Sequence, residues 1–441
     1  MVSRLPVWGL LYIGLLLQAC SSTGKGLFAG KTAHERYADK INTAGLQETA
    51  LGRNWFAAAS RSLSQPASIR LPYRESGYFE ANQPDAAGYR FTARRGDKVA
   101  IKLQRKPTQG FALFLDLWQP DANAQPRHLA SADSTGADLI YSINKDGDYL
   151  LRLQPELLAG GEYTLEIRTG PSLDFPVAVS GRPRISSFWG DARDGGARSH
   201  EGVDIFSPRR TPLLAAAPGV ITSVSLNKLG GKVIFLRPRD KDFALYYAHL
   251  DSQLVSAGQR VEAGDTIGLL GNTGNAITTS PHLHFGIYAQ GGAIDPLPFI
   301  DTKREEPATI TVATEDLAAY RRSLRNAVVY RLPDKQSARV AAPKAGTVLR
   351  TRSATGNWYK VMLPDGSHGF VAGNLVTTVT APLRTVKADT ATQLLDLPHT
   401  VAAVKGSIDR DTTIRVLGLF DDYYYVQTTD KTGWIRSASI D

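Results

Sequence analysis

The 441-residue chain has one cysteine, Cys20, and two methionines. A single cysteine cannot form an intramolecular disulfide, so the fold depends on ordinary hydrophobic cores. With Cys20 chemically blocked no thiol nucleophile would remain, which excludes a cysteine peptidase. Long apolar runs are equally scarce. The stretch from Leu5 to Leu17 is shorter than the roughly 20 residues of a spanning helix, and nothing later is apolar enough to cross a bilayer. Several catalytic signatures are missing. Gly30-Lys31-Thr32 has Lys25 where a phosphate-binding loop needs glycine. His200-Glu201 has no second histidine at the helical offset. Ser225-Leu-Asn-Lys228 and Lys431-Thr432-Gly433 lie in different predicted domains without a Ser-Asp-Asn companion, and both read as turns. No nucleic-acid recognition motif is present, so no nucleic-acid partner is expected.

What is there begins with an export signal. Arg4 precedes a short apolar run, and Leu17-Gln18-Ala19-Cys20 resembles a bacterial lipoprotein cleavage site. That resemblance implies a signal peptide over residues 1–19 and lipidation of Cys20. It also implies attachment to a membrane of the cell envelope, the outer one facing the periplasm if the host has two. The formal charge is +9 and the pI about 9.4. A mildly basic solvated surface accounts for this, and attraction to anionic wall polymers or headgroups is the functional alternative.

The chain divides by rhythm into a mainly β, multidomain protein. Residues 20–68 are polar and Ala-rich, a tether with one or two helices ending before Pro66. Residues 69–172 alternate like short strands, as in Val99-Ala-Ile101-Lys-Leu103, with turns at Arg95-Gly96-Asp97 and Asp146-Gly147-Asp148; this predicts a β-sandwich. The segment loosely resembles the pre-peptidase domains of secreted bacterial proteases. Residues 183–300 hold the chemistry. Residues 301–325 read as a charged, partly helical linker. Then the sequence repeats: Thr347-Val-Leu349-Arg350 matches Thr412-Thr-Ile414-Arg415, and Trp358-Tyr-Lys-Val361 matches Tyr423-Tyr-Tyr-Val426. The repeats, 326–380 and 381–441, are expected to be small β-barrels and resemble bacterial SH3-type domains. Their aromatics Trp358, Tyr359, Tyr423, Tyr424, Tyr425 and Trp434 either line peptide grooves or fill the barrel cores.

Four of the eight histidines fall in one short segment: His200, His249, His282 and His284, with Asp204 beside the first. Residues four apart on a strand share a face, so His200 and Asp204 can point together. His282 and His284 share a face too, leaving Leu283, Phe285 and Ile287 for a core. His249 ends the alternating stretch Leu245-Tyr-Tyr247-Ala-His249. Imidazole nitrogen and carboxylate oxygen suit zinc, which keeps three protein ligands and a water at catalytic sites. The two histidines in excess are free for proton transfer or oxyanion stabilisation. His34, His128, His368 and His399 are expected to be ordinary core or surface residues.

The stretch from about Arg184 to Pro296 resembles the lysostaphin/LytM family of zinc peptidases. The matches run in order: Ser187-Phe-Trp-Gly190, His200-Glu-Gly-Val-Asp204, Tyr247-Ala-His249-Leu250, Gly271-Asn-Thr-Gly274 and His282-Leu-His284-Phe285. The resemblance implies an antiparallel β-groove with one zinc on its floor. It assigns His200, Asp204 and His284 as metal ligands and His249 and His282 as catalytic. It further implies endopeptidase action on peptidoglycan stem peptides or cross-bridges in cell-wall remodelling. Some relatives keep the fold, lose the ligands and activate wall amidases; a wall-binding scaffold is a third reading. The loop Asn275-Ala-Ile-Thr-Thr-Ser280 is longer than in many relatives, which leaves substrate preference open.

Overall fold

The structure is a computed structural model that describes residues 30–121, 125–132, 138–315 and 317–440. The export signal and Cys20 lie outside the described residues. No helix among those described is long and apolar enough to cross a membrane.

Two helices come first. Ala33–Thr43 starts at a capping box, in which Thr32 Oγ1 accepts from the Glu35 N–H and Glu35 Oε2 accepts from the Thr32 N–H. Ala50–Ser64 is capped by Thr49. Trp55, fully buried, fixes this pair to the sandwich: its indole N–H donates to the Pro155 carbonyl at 2.8 Å. His34 stacks on Trp55 at 4.7 Å and bonds Gln154 through Nε2 at 2.7 Å. His34 is therefore a core residue.

The sandwich packs two sheets whose inward residues include Tyr89, Ile101, Leu115, Leu151 and Leu165. One core position breaks the apolar pattern. Glu75, fully buried, accepts hydroxyl hydrogen bonds from Tyr73 (2.5 Å), Tyr163 (2.7 Å) and Tyr89. A buried carboxyl is tolerated only when its oxygens find donors.

Between residues 184 and 294 an antiparallel sheet runs in the order Arg184–Ser187, Val203–Phe206, His282–Ala289, Phe243–Gln253, Gly231–Pro238, Gly219–Asn227 and Arg260–Val261. Val203, Ile205, Leu245, Tyr247, Leu283, Phe285 and Ile287 occupy one face and are fully buried. The opposite face is left to form a groove.

Residues 303–319 contain no helix among those described, contrary to the expectation of a partly helical linker. The segment has no regular structure and is tied to the first SH3 unit, where the Thr311 N–H donates to the Gly356 carbonyl and Tyr359 Oη to the Ala313 carbonyl. These tertiary bonds outweigh the helix propensity of its glutamates. The repeat reappears in the strands: Val348–Thr355 and Trp358–Met362 correspond to Thr413–Phe420 and Tyr423–Gln427. Among the described residues the ladders of neither unit close into a complete barrel. Five of the six aromatics named above are buried, Trp434 to 1 % exposure, so most of this set fills cores instead of lining grooves.

The first SH3 unit also joins the sandwich. Strand Tyr73–Phe79 pairs with Val348–Thr355 through Ser76↔Ala354 and Gly77↔Ser353, making one continuous sheet.

Candidate metal centre

Three strands and one loop bring the five residues singled out by sequence to one groove of about 730 Å³. Asp204 and His284 are cross-strand partners, and so are Phe206 and His282. The core side chains on the other face fix which way these four point. His200 arrives differently. It lies outside the strand Val203–Phe206, beyond a bend at Gly202, so the single strand expected from His200 to Asp204 does not form. His200 is held instead by its backbone, which exchanges hydrogen bonds with Gly190 and Asp191.

The donor atoms form a compact triangle. His200 Nε2 lies 3.0 Å from Asp204 Oδ1 and 2.9 Å from His284 Nδ1, and Nδ1 of His284 lies 3.1 Å from the same Oδ1. Ligand atoms of a tetrahedral ion with bonds of 2.0–2.1 Å stand about 3.3 Å apart. Opening the triangle by a few tenths of an ångström admits an ion, and this is the His-Asp-His cluster that could hold a metal. The tautomer fits too. Nδ1 of His200 lies 2.8 Å from the Phe188 carbonyl, which only accepts, so Nδ1 carries the proton and Nε2 offers its lone pair. Burial raises the Asp204 carboxyl, but the close contacts with the His200 and His284 imidazoles outweigh this and hold it far below the usual carboxylate range. Burial lowers His284, with Asp204 opposing.

His249 and His282 flank the triangle, their rings 5.0 Å apart, and His249 lies 6.0 Å from His284. Both are held alike. His249 Nδ1 lies 2.8 Å from the Thr273 carbonyl and His282 Nδ1 2.9 Å from the Ser280 carbonyl. Each Nδ1 therefore donates, and each Nε2 is the basic atom. Burial, then the neighbouring His282, lowers His249 to about 4. Phe206 stacks on His282 at 4.9 Å.

His249 reaches the groove against strand parity. Leu245 and Tyr247 face the core, and strict alternation would send His249 after them. Its φ of 66° and the register break opposite Lys232–Ile234 turn it over. Left-handed backbone at a non-glycine residue is uncommon and clusters at functional sites.

Arg193 is a groove residue that sequence reading missed. Its Nη2 donates to Asp204 Oδ2 at 2.8 Å and to Ser187 Oγ at 2.5 Å. It thus holds the oxygen of Asp204 that is not in the triangle. The Asn275–Ser280 loop opens with a short helical turn, Gly274–Ala276, and Asn275, Ala276 and Thr279 form part of the groove wall.

Residues 198–296 match peptidase family M23, and residues 324–377 match the bacterial SH3 domain. A protein of Haemophilus influenzae described as an uncharacterized metalloprotease is 40 % identical over 203 residues, covering 45 % of this chain and 40 % of its own length. The L-Ala–D-Glu endopeptidase of Bacillus subtilis is 36 % identical over 138 residues, 29 % of this chain and 42 % of that protein. The chain thus spans less than half the length of these relatives. Among solved structures, the lysostaphin catalytic domain of Staphylococcus simulans aligns with 28 % of this chain and 97 % of that one, at 32 % identity and a TM-score of 0.25. Within this chain, residues 198–296 are a domain of peptidase family M23, and a bacterial SH3 domain follows at 324–377.

Proposed function

We propose that this chain is a zinc-dependent endopeptidase that hydrolyses peptide bonds in peptidoglycan stem peptides or cross-bridges, anchored to the cell envelope by a lipid on Cys20. The observation that carries this is the convergence of His200, Asp204, His284, His249 and His282 on one groove of an M23 domain. His200 Nε2, Asp204 Oδ1 and His284 Nδ1 would hold one zinc. A zinc bound there supplies Lewis acidity and a water that ionises near neutral pH. His249 and His282, each with a free Nε2, receive a proton at that atom and return it toward the leaving amine, or hydrogen-bond the developing oxyanion. Arg193 would hold the second carboxylate oxygen of Asp204 and so orient it. A groove of about 730 Å³ has room for a short stretch of peptide. Relatives named as peptidoglycan DD-endopeptidases and the SH3 domain favour the wall as substrate.

Digestion of purified peptidoglycan by wild type and by His282→Ala, with the products read by mass spectrometry, tests this. New amino termini at one type of peptide bond, absent with the variant, are expected. Identical product profiles with and without the protein would contradict the proposal.

A further inference from the structure

A second cleft, of about 400 Å³, opens where helix Ala50–Ser64, the sandwich and the first SH3 unit meet. It shares no lining residue with the metal groove. Its walls are fixed by the fold, because the sandwich and SH3 strands form one ladder there. Ion pairs Arg350–Glu80 and Arg352–Asp85, the latter at 3.2 Å, span the same junction.

Two independent features mark the cleft as a ligand site. The first is unbalanced charge. Arg61, Arg352 and Lys360 line it against one carboxylate, Asp85, which Arg352 already occupies. Lys360 is half-buried with Nζ 4.9 Å from the centroid of the Tyr89 ring. Among the described residues neither Lys360 nor Arg61 has a carboxylate partner. The second feature is Ser353. It is 1 % exposed, belongs to the cleft wall, and its hydroxyl has no hydrogen-bond partner among the described residues. Leaving a buried hydroxyl unpaired costs about 1–3 kcal/mol, a cost that a ligand acceptor would relieve once the cleft wall parts enough to expose the oxygen.

The rest of the wall includes Phe79 and Met362, so the occupant is an organic anion with small apolar parts. Inorganic phosphate has no apolar part to meet Phe79 and Met362. We propose that this cleft binds a short peptide through its free carboxylate, with Lys360 and Arg61 supplying charge and Ser353 Oγ a hydrogen bond. The site is separate from the metal groove and does not depend on the proposed peptidase activity.

Saturation-transfer NMR on the purified full chain tests this with N-acetyl-alanyl-alanine, its C-terminal amide and inorganic phosphate. The free acid should bind about tenfold more tightly than the amide, the difference of one charge-assisted hydrogen bond. Lys360→Met and Arg61→Met should each weaken it, and His249→Ala, in the other groove, should not. Ser353→Ala separates recognition from folding: with no partner to lose, the variant keeps or raises its Tm while affinity falls severalfold. Equal binding of acid and amide, or displacement by phosphate at matching concentration, would overturn the proposal. So would binding that survives Lys360→Met and disappears in His249→Ala.

Discussion

Asp204 and His284 are direct partners across two antiparallel strands, and their side-chain atoms Oδ1 and Nδ1 lie 3.1 Å apart. The ladder register places two members of the triangle together before any metal arrives. Removing one of them breaks the set. His284→Ala is expected to lose stoichiometric metal and all wall cleavage, as measured by metal content after dialysis and by release of soluble wall fragments. Metal retained at wild-type content would remove His284 from the ligand set.

His249 stands outside the triangle, and its Nδ1 is committed to the Thr273 carbonyl. His249→Ala should therefore keep most of the metal while turnover falls about 10²- to 10⁴-fold, the usual loss of a general acid or base. Metal content and initial rate on one preparation check this. A fully active variant would show that His249 has no part in proton handling.

Arg193 acts through Asp204, whose second oxygen it holds at 2.8 Å. Arg193→Met should weaken metal affinity about 10- to 100-fold, as loss of such supporting contacts does. Competition with a chelator of known affinity reads this directly. Unchanged affinity would make the contact incidental.

Burial, reinforced by the nearby Arg152 charge, lowers His34 to about 4. Between about pH 6.5 and 4 the unfolded state then binds more protons than the folded one, so stability falls as pH falls through that window and is complete above it. The loss amounts to at most about 3 kcal/mol. Urea unfolding at pH 7.5 and 4.5 should show a smaller difference for His34→Gln than for wild type. Equal differences would mean the ring is protonated in place.

Much of this was legible in sequence because strand alternation is a strong signal. Leu283, Phe285 and Ile287 interleave with His282 and His284, and both faces are where the period puts them. Asp204 was legible for the same reason. His249 was marked by the family resemblance and not by the alternation, because a register break and a positive φ invert its face and neither leaves a mark in the period. Arg193 was missed because it comes from the two-residue strand Ala192–Arg193, too short for a period to show; its one signal was an arginine placed among residues that resemble the peptidase family. The strand pairing of the sandwich with the SH3 unit joins residues more than 270 positions apart, such as Gly77 and Ser353, and local sequence carries no trace of it. The aromatics at 358–359 and 423–425 were ambiguous because a groove and a small core require the same residue types.

The central claim is tested most directly by digesting purified peptidoglycan with the full chain while measuring zinc on the same sample. New peptide ends together with about one zinc per chain are the result this account predicts. A sample with no zinc and no new peptide ends would contradict it.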